Sequence, residues 1–448
     1  MLDRLQSQRW LKPALVVTGA GSAGFFVAIL YTFSTGIGTW GNNVPVAWAF
    51  AITNFVWWIG MGHAGTFISA ILYLLQQKWR SSINRIAEAM TLFAVVQAGL
   101  MPILHLGRPW FFYWLIPYPS TMEVWPQFMS TLTFDVAAVF TYLTVSVLFW
   151  YQGLVPDLAA ARDVTTSRTR RILYGIFALG WNGSARQWRH FRKSQLMIAG
   201  LATPLVLSVH SIVSMDFAVA NLNGWHSTIW PPYFVAGAIF QGFAMVIQLV
   251  VPIRKLYRLE HVITERHIDL CAKLCLATGM VVVYAYIYEQ FIAWYSGAPW
   301  ERWMYFQTRP TGPYAWLFWS MLFCNVVALQ AFWVRRARRT PWVAWTVATL
   351  IQIGMWLERF VLVVTSQHQD FLPSSWGMYR PSLVDAGLLF GSMSFFAFLM
   401  LLLLRFVPFV PMNEIKEDLR ELKWLDTPRG AVGVGAPDEP ARKGEARG

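Results

Sequence analysis

Ten stretches of this chain are apolar for long enough to cross a lipid bilayer, and that decides the fold class before any single residue is weighed. A crossing helix needs about 20 mostly apolar residues. The runs fall at roughly 11–33, 46–76, 86–107, 126–150, 196–219, 233–253, 269–292, 314–334, 342–365 and 385–407. Hydrocarbon offers no water to pair a backbone N–H or C=O, so each run must satisfy its own backbone groups as a helix. The expectation is an all-α integral membrane protein. Charge content agrees: 13% of the 448 residues are Asp, Glu, Lys or Arg, against roughly 25% in a soluble domain.

The net charge of +13 resembles a nucleic-acid footprint until the charges are placed. With ten spans, 30 of the 36 Lys and Arg fall on one side, and the opposite loops hold only Arg108, Arg302, Arg309 and Arg380. Basic loops stay in the cytoplasm, so both termini are expected there, the membrane is expected to be the cytoplasmic one, and no nucleic acid is expected as a partner. No charged-then-apolar opening with a small-residue cleavage site suggests a removed signal peptide. Cys271, Cys275 and Cys324 all lie in apolar stretches without a CxxC pair, so the chain is expected to bind no iron–sulfur cluster or c-type haem of its own. His63 and His210 are posed to suit one b-type haem, but the four histidines of two stacked pairs are missing, and intrinsic haem is not expected. The loop at 153–195 reads as a basic cytoplasmic insertion, residues 412–425 as a short surface helix, and the Gly/Pro/Ala-rich tail after Thr427 as disordered.

Ionisable residues inside spans are costly and mark function by default. His105 closes span three near the external face, Asp135 sits roughly 13 Å into span four at 1.5 Å per residue, and Asp216 lies near the outer end of span five. Three titratable groups from sequential helices thus share the outer half of one bundle. Oxidising a quinol needs such a set, because two protons must leave as two electrons go, and an imidazole or carboxylate can accept them. An interfacial His105 bonded only to a carbonyl is the plainer alternative. His63, in Gly60-Met-Gly-His-Ala-Gly65, reads either as a proton relay or as a satisfied core histidine on a small-residue packing face. Glu88, Asp269 and Lys273 are expected to be solvated or paired at the cytoplasmic ends. Glu358 and Arg359 are expected to pair with other groups in the second bundle, and Glu289 is the second-bundle proton candidate. His63, Glu88 and Glu289 together make a candidate proton path. A weak repeat at an offset of 190 carries His105-Leu-Gly-Arg-Pro-Trp110 onto Tyr295-Ser-Gly-Ala-Pro-Trp300 and Asp135 onto Asn325. It implies two parallel four-helix bundles, with the titratable groups kept in the first.

With these residues in view, the chain resembles the NrfD/PsrC family of quinone-interacting membrane subunits, and within it the ActC-type subunits of bacterial alternative complex III. The segments that carry the likeness are Trp57-Trp-Ile-Gly-Met-Gly-His-Ala-Gly-Thr66, Ser82-Ile-Asn-Arg-Ile-Ala-Glu-Ala-Met90, His105-Leu-Gly-Arg-Pro-Trp110, Ala202-Thr-Pro-Leu-Val-Leu-Ser-Val-His210 and Pro231-Pro-Tyr-Phe-Val-Ala-Gly-Ala238. The resemblance implies ten helices: a flanking helix in 1–45, a first four-helix bundle in 46–219, a second in 220–365, a flanking helix in 366–407 and a cytoplasmic tail in 408–448. It further implies menaquinol oxidation near the external face, with His105, Asp135 and Asp216 at the quinol site and no cofactor bound in the chain. Electrons would pass to an iron–sulfur subunit and then to c-type cytochromes, with a second NrfD-like membrane subunit alongside. Two other readings stay open at this point: a quinone-reducing subunit of the same family, and a secondary transporter, which parallel repeats and intramembrane acids also suit. A non-catalytic anchor for external redox subunits is a further one.

Overall fold

A computed structural model describes residues 8–116, 131–412 and 414, and among them the chain is helical throughout, without strands. The helices are α1 (Leu11–Thr35), α2 (Phe50–Leu74), α3 (Asn84–His105), α4 (Thr131–Val164), α5 (Arg168–Phe177), α6 (Ala185–Ala218), α7 (Trp230–Leu256), α8 (Glu265–Tyr295), α9 (Ala315–Trp333), α10 (Pro341–Gln367) and α11 (Leu383–Phe406). All but α5 are long and apolar enough to cross a membrane. The start expected for span four at 126, most of the expected surface helix at 412–425 and the tail lie outside the described residues.

Neighbour relations sort the spans. Helices α2, α3, α4 and α6 pack together, α7, α8, α9 and α10 form a second set of four, and α1 pairs with α11 at the side. The two sets meet along α2, which touches α7 and α10, and along α6, which touches α7. Burial follows: 89% of the α2 window is buried against 22% of α1. A helix that is apolar all round is one surrounded by others or by lipid, and α2 and α1 are those two cases.

Glycine sets how close α2 comes to its neighbours. A methyl group on Gly65 would lie 1.9 Å from Thr91 Oγ1 and 2.1 Å from the Ala87 carbonyl oxygen on α3. One on Gly242 of α7 would lie 2.5 Å from the Ala64 methyl. Lipid supplies no hydrophobic drive between helices, so close contact and interhelical hydrogen bonds hold them. At this junction Gln241 Nε2 donates to Trp57 O at 2.9 Å, Gln352 Nε2 donates to Gln241 O at 2.8 Å, and Trp57 Nε1 donates to Gln352 O at 3.2 Å. That closed triangle ties α2, α7 and α10.

The expected basic loop at 153–195 is corrected. Helix α4 runs on to Val164, α5 follows, and α6 begins at Ala185. Ser167 and Ser184 cap α5 and α6 by accepting from the Arg170 and Gln187 amides, as N-cap serines do. Both α4 and α6 have 34 residues, or about 51 Å at 1.5 Å per residue. At this end Arg85 pairs with Asp157 at 3.0 Å, both nearly inaccessible, and Asp269 pairs with Lys273 and Arg338 at 2.9 Å each. Glu88, expected to be solvated or paired at the end of its span, is buried rather than solvated.

A methyl group added at Gly65 is therefore predicted to force α2 and α3 apart. Gly65→Ala should destabilise the folded protein by about 1–3 kcal/mol, read as a lower melting temperature in detergent. Gly99→Ala, where a methyl group meets nothing within 4 Å, should leave the melting temperature unchanged.

Candidate functional site

Helix α3 ends at His105 because Gly107, two residues on, takes the left-handed conformation (φ 69°), and its amide donates to the Leu104 carbonyl at 2.9 Å. Glycine accepts that geometry without strain. The end so fixed leaves the His105 ring 6.1 Å from the ring of Trp40, with Nδ1 buried and without a hydrogen-bond partner among the described residues. Asp135 stands one turn into the described part of α4, and Asp216 stands in the last turn of α6. The two side chains lie within hydrogen-bond reach of each other, and the Thr131 side chain is within reach of Asp216. Both aspartates are buried. Among the described residues neither joins a salt bridge, and no N–H or hydroxyl donates to Asp135 Oδ1 or Asp216 Oδ1. Two carboxyl groups held this close suit the sharing of one proton. The two aspartates thus meet where α4 and α6 pack together, and α4 also adjoins the helix that ends in His105.

Deeper in the same set, His63 of α2 and His210 of α6 meet edge to face, with ring centroids 4.4 Å apart. Both are inaccessible, and none of their four ring nitrogens has a partner among the described residues. Imidazole–metal bonds of about 2.0–2.1 Å on either side of an ion would hold ring centres about 6 Å apart. The spacing here is that of packed rings. Below them, Thr66 and Tyr142 share a hydrogen bond of 2.9 Å, and Glu88 lines a void of about 10 Å³ with Thr66, Ser69, Thr91 and Ser146, roughly the room one water needs. His63 and Glu88 are thus in one helix set, whereas Glu289 belongs to the other.

The second set holds more chemistry than the repeat implied, which corrects the expectation that titratable groups stayed in the first. A cavity of about 510 Å³ lies between α7, α8, α9, α10 and the segment at 304–310, lined by Tyr233, Tyr286, Glu289, Tyr305, Arg309 and Glu358 among others. Tyr286 donates to Glu358, and Asn325, the repeat counterpart of Asp135, donates from Nδ2 to Tyr286 Oη at 2.9 Å and to Glu358 at 3.3 Å. Arg359 pairs with Glu358 at 2.7 Å and lies over the Phe234 ring at 4.3 Å. So Glu358 and Arg359 pair with each other as well as with their neighbours. Arg309 is 5% exposed although the sequence placed it in an external loop; its guanidinium sits 4.1 Å from the centre of the Tyr305 ring. Burial raises the Tyr305 hydroxyl above the ordinary phenol range, so it stays a neutral donor. Two intramembrane glutamates in α8 and α10 were the visible signal for this cavity. Nothing in the local sequence distinguishes a buried Arg309 from a solvated one.

The family described as polysulphide reductase, NrfD, matches residues 39–370. Among curated proteins, a 248-residue stretch is 23% identical to a Halobacterium salinarum protein named for the membrane subunit of a dimethyl sulfoxide reductase, covering 53% of each chain. A 211-residue stretch is 22% identical to a Mesobacillus selenatarsenatis protein named as a subunit of selenate reductase, covering 45% of this chain and 47% of that one. A longer match, 22% over 371 residues and 80% of both chains, is to the Hdr-like menaquinol oxidoreductase integral membrane subunit of Archaeoglobus fulgidus. The chain spans about half the length of the first two relatives.

Arg359→Leu would strand Glu358 in the second set without its counter-charge. Removing one partner of a buried pair costs about 3–5 kcal/mol, so a large fall in melting temperature is expected. Adding Glu358→Gln, which removes the stranded charge but keeps the contacts to Tyr286 and Asn325, should restore most of it.

Proposed function

The chain belongs to the NrfD family, and on that footing we propose that it is the quinol-oxidising membrane subunit of a respiratory or photosynthetic electron-transfer complex, resembling that of alternative complex III. The observation that carries the reading is the buried Asp135–Asp216 pair on α4 and α6, with α4 packed against the helix that ends in His105. The relative named for menaquinol oxidoreduction supports menaquinol as the substrate. The relatives named as reductase subunits support a chain that works only inside a larger complex.

In this reading a quinol ring sits at the ends of α3, α4 and α6. One hydroxyl proton passes to the carboxylate of the aspartate pair and the other to the free Nδ1 of His105. Two electrons leave to an iron–sulfur subunit on the same face, and from there to c-type cytochromes. The quinone departs into the bilayer, and the two protons leave to the external side, the side with few basic residues. A second NrfD-like membrane subunit stands beside this one. A buried acid that already shares a proton is poised for such transfer, because proton exchange needs no rearrangement of the backbone.

Turnover of the purified intact complex tests the proposal, with Asp135→Asn, Asp216→Asn and His105→Ala each checked for full subunit and haem content. Loss of a positioned proton acceptor costs about 10²- to 10⁴-fold in rate, and losses of that size are expected from quinol to acceptor. The same variants assayed from reduced acceptor to quinone separate oxidising from reducing operation. Wild-type turnover in all three well-assembled variants would remove the site from α3, α4 and α6 and leave the chain an anchor for its partners.

A further inference from the structure

The cavity of the second helix set takes no part in the site just described: none of its lining residues belongs to α3, α4 or α6. At about 510 Å³ it falls within the 300–1,000 Å³ typical of small-molecule sites. Its rim carries Ile287, Phe306 and Trp319, which are 64%, 47% and 57% exposed. On spanning helices α8 and α9, side chains so exposed face lipid, so the cavity is entered from the bilayer. Its occupant is therefore a molecule dissolved in the membrane.

The polar lining narrows the class. Glu289 is 8% exposed, and its Oε1 has no partner among the described residues; Arg309 Nε is likewise buried and without one. A carboxylate and a guanidinium thus line one apolar space, with no ion pair between them among the described residues. An acyl chain would leave both unsatisfied, at the cost of about 1–3 kcal/mol for each buried group, more where it is charged. A flat ring bearing oxygens at opposite edges would satisfy both: a hydroxyl donates to the Glu289 carboxylate, and an oxygen on the far edge accepts from the Arg309 guanidinium. Tyr233, Tyr286, Tyr305 and Phe318 surround that space with aromatic faces and edges, which pack against a planar ring in offset or edge-to-face contact. We propose that this cavity is a second binding site for a membrane quinone or quinol, with the ring between Glu289 and Arg309 and the tail leaving past Ile287 and Trp319. The site rests on the reading of the chain as a quinone-interacting subunit, and it holds the molecule without itself requiring a redox step.

Photolabelling of the intact complex with an azido-quinone, followed by mass spectrometry of the peptides, tests it. Label is expected on α8, α9 or the 304–310 segment, competed by unlabelled menaquinone and not by phospholipid. Glu289→Gln, nearly isosteric, and Val326→Trp, which fills the cavity from its edge, should each lower that label about tenfold, a loss of about 1.4 kcal/mol in affinity. Asp135→Asn should leave it unchanged. Label confined to α3, α4 and α6 would overturn the second site and keep the proposed function. Label on neither set would overturn both. Label in the second set that only phospholipid displaces, or that survives both substitutions, would make the cavity a lipid site and overturn the assignment.

Discussion

The contact of α2 with α7 and α10 holds the rest of the molecule in place. Where Gly60 and Gly242 remove a side chain, the backbones approach closely enough for Trp57, Gln241 and Gln352 to exchange hydrogen bonds in a closed triangle. In lipid, an amide left unpaired has no water to turn to, so each member of the triangle depends on the other two. That junction fastens one set of four helices to the other, and α2 carries Thr66 and His63 further along the same helix. The position of the proton-bearing groups in the first set is thus inherited from a contact that contains no charge.

Charge is handled differently in the two sets. In the first, Asp135 and Asp216 answer each other and have no cation partner among the described residues, which suits groups that gain and lose protons. In the second, Glu358 is held by Tyr286, Asn325 and Arg359 together. A carboxylate so surrounded is fixed in place, and its pairing serves structure. Glu289 and Arg309 stand between these cases: both are buried, and both line the cavity.

Much of this was legible from the chain alone, because hydropathy reports directly where lipid lies. The ends of α3 and α9 fall within two residues of the apolar runs that predicted them, and the depth argument put Asp135 and Asp216 in one half of one bundle, where they do meet. Hydropathy does not report where a helix stops. Arg168, Arg170, Arg171, Arg186 and Arg189 read as a loop but belong to α5 and α6, since arginine is a good helix former in water. Glu88 lies one turn into α3, which suggested a solvated or paired group, and α4 and α6 cover it. Arg309 was hidden for another reason: it stands one turn beyond Tyr305 in a short helical stretch, and its burial comes from tertiary packing that leaves no local signature. The repeat singled out Asn325, which proves to be a hydrogen-bond partner of Tyr286 and Glu358 in the second set. It misled on chemistry, because the acids of the second set entered at other positions, 289 and 358.

The unequal lengths of the spans shape what can be built around the protein. Helix α9 has 19 residues, about 29 Å, close to the thickness of bilayer hydrocarbon. Helices α4 and α6, at about 51 Å, overshoot it by about 20 Å. Asp216 lies in the last turn of α6, so nearly all of the excess of that helix emerges at the other face, where α5 bridges α4 and α6 and arginines crowd the surface. That face is a floor with a parapet along one edge. A companion protein settling there must either straddle the ridge or nest in the lee beside it, so the silhouette of the assembly on that side is set by the height of two helices.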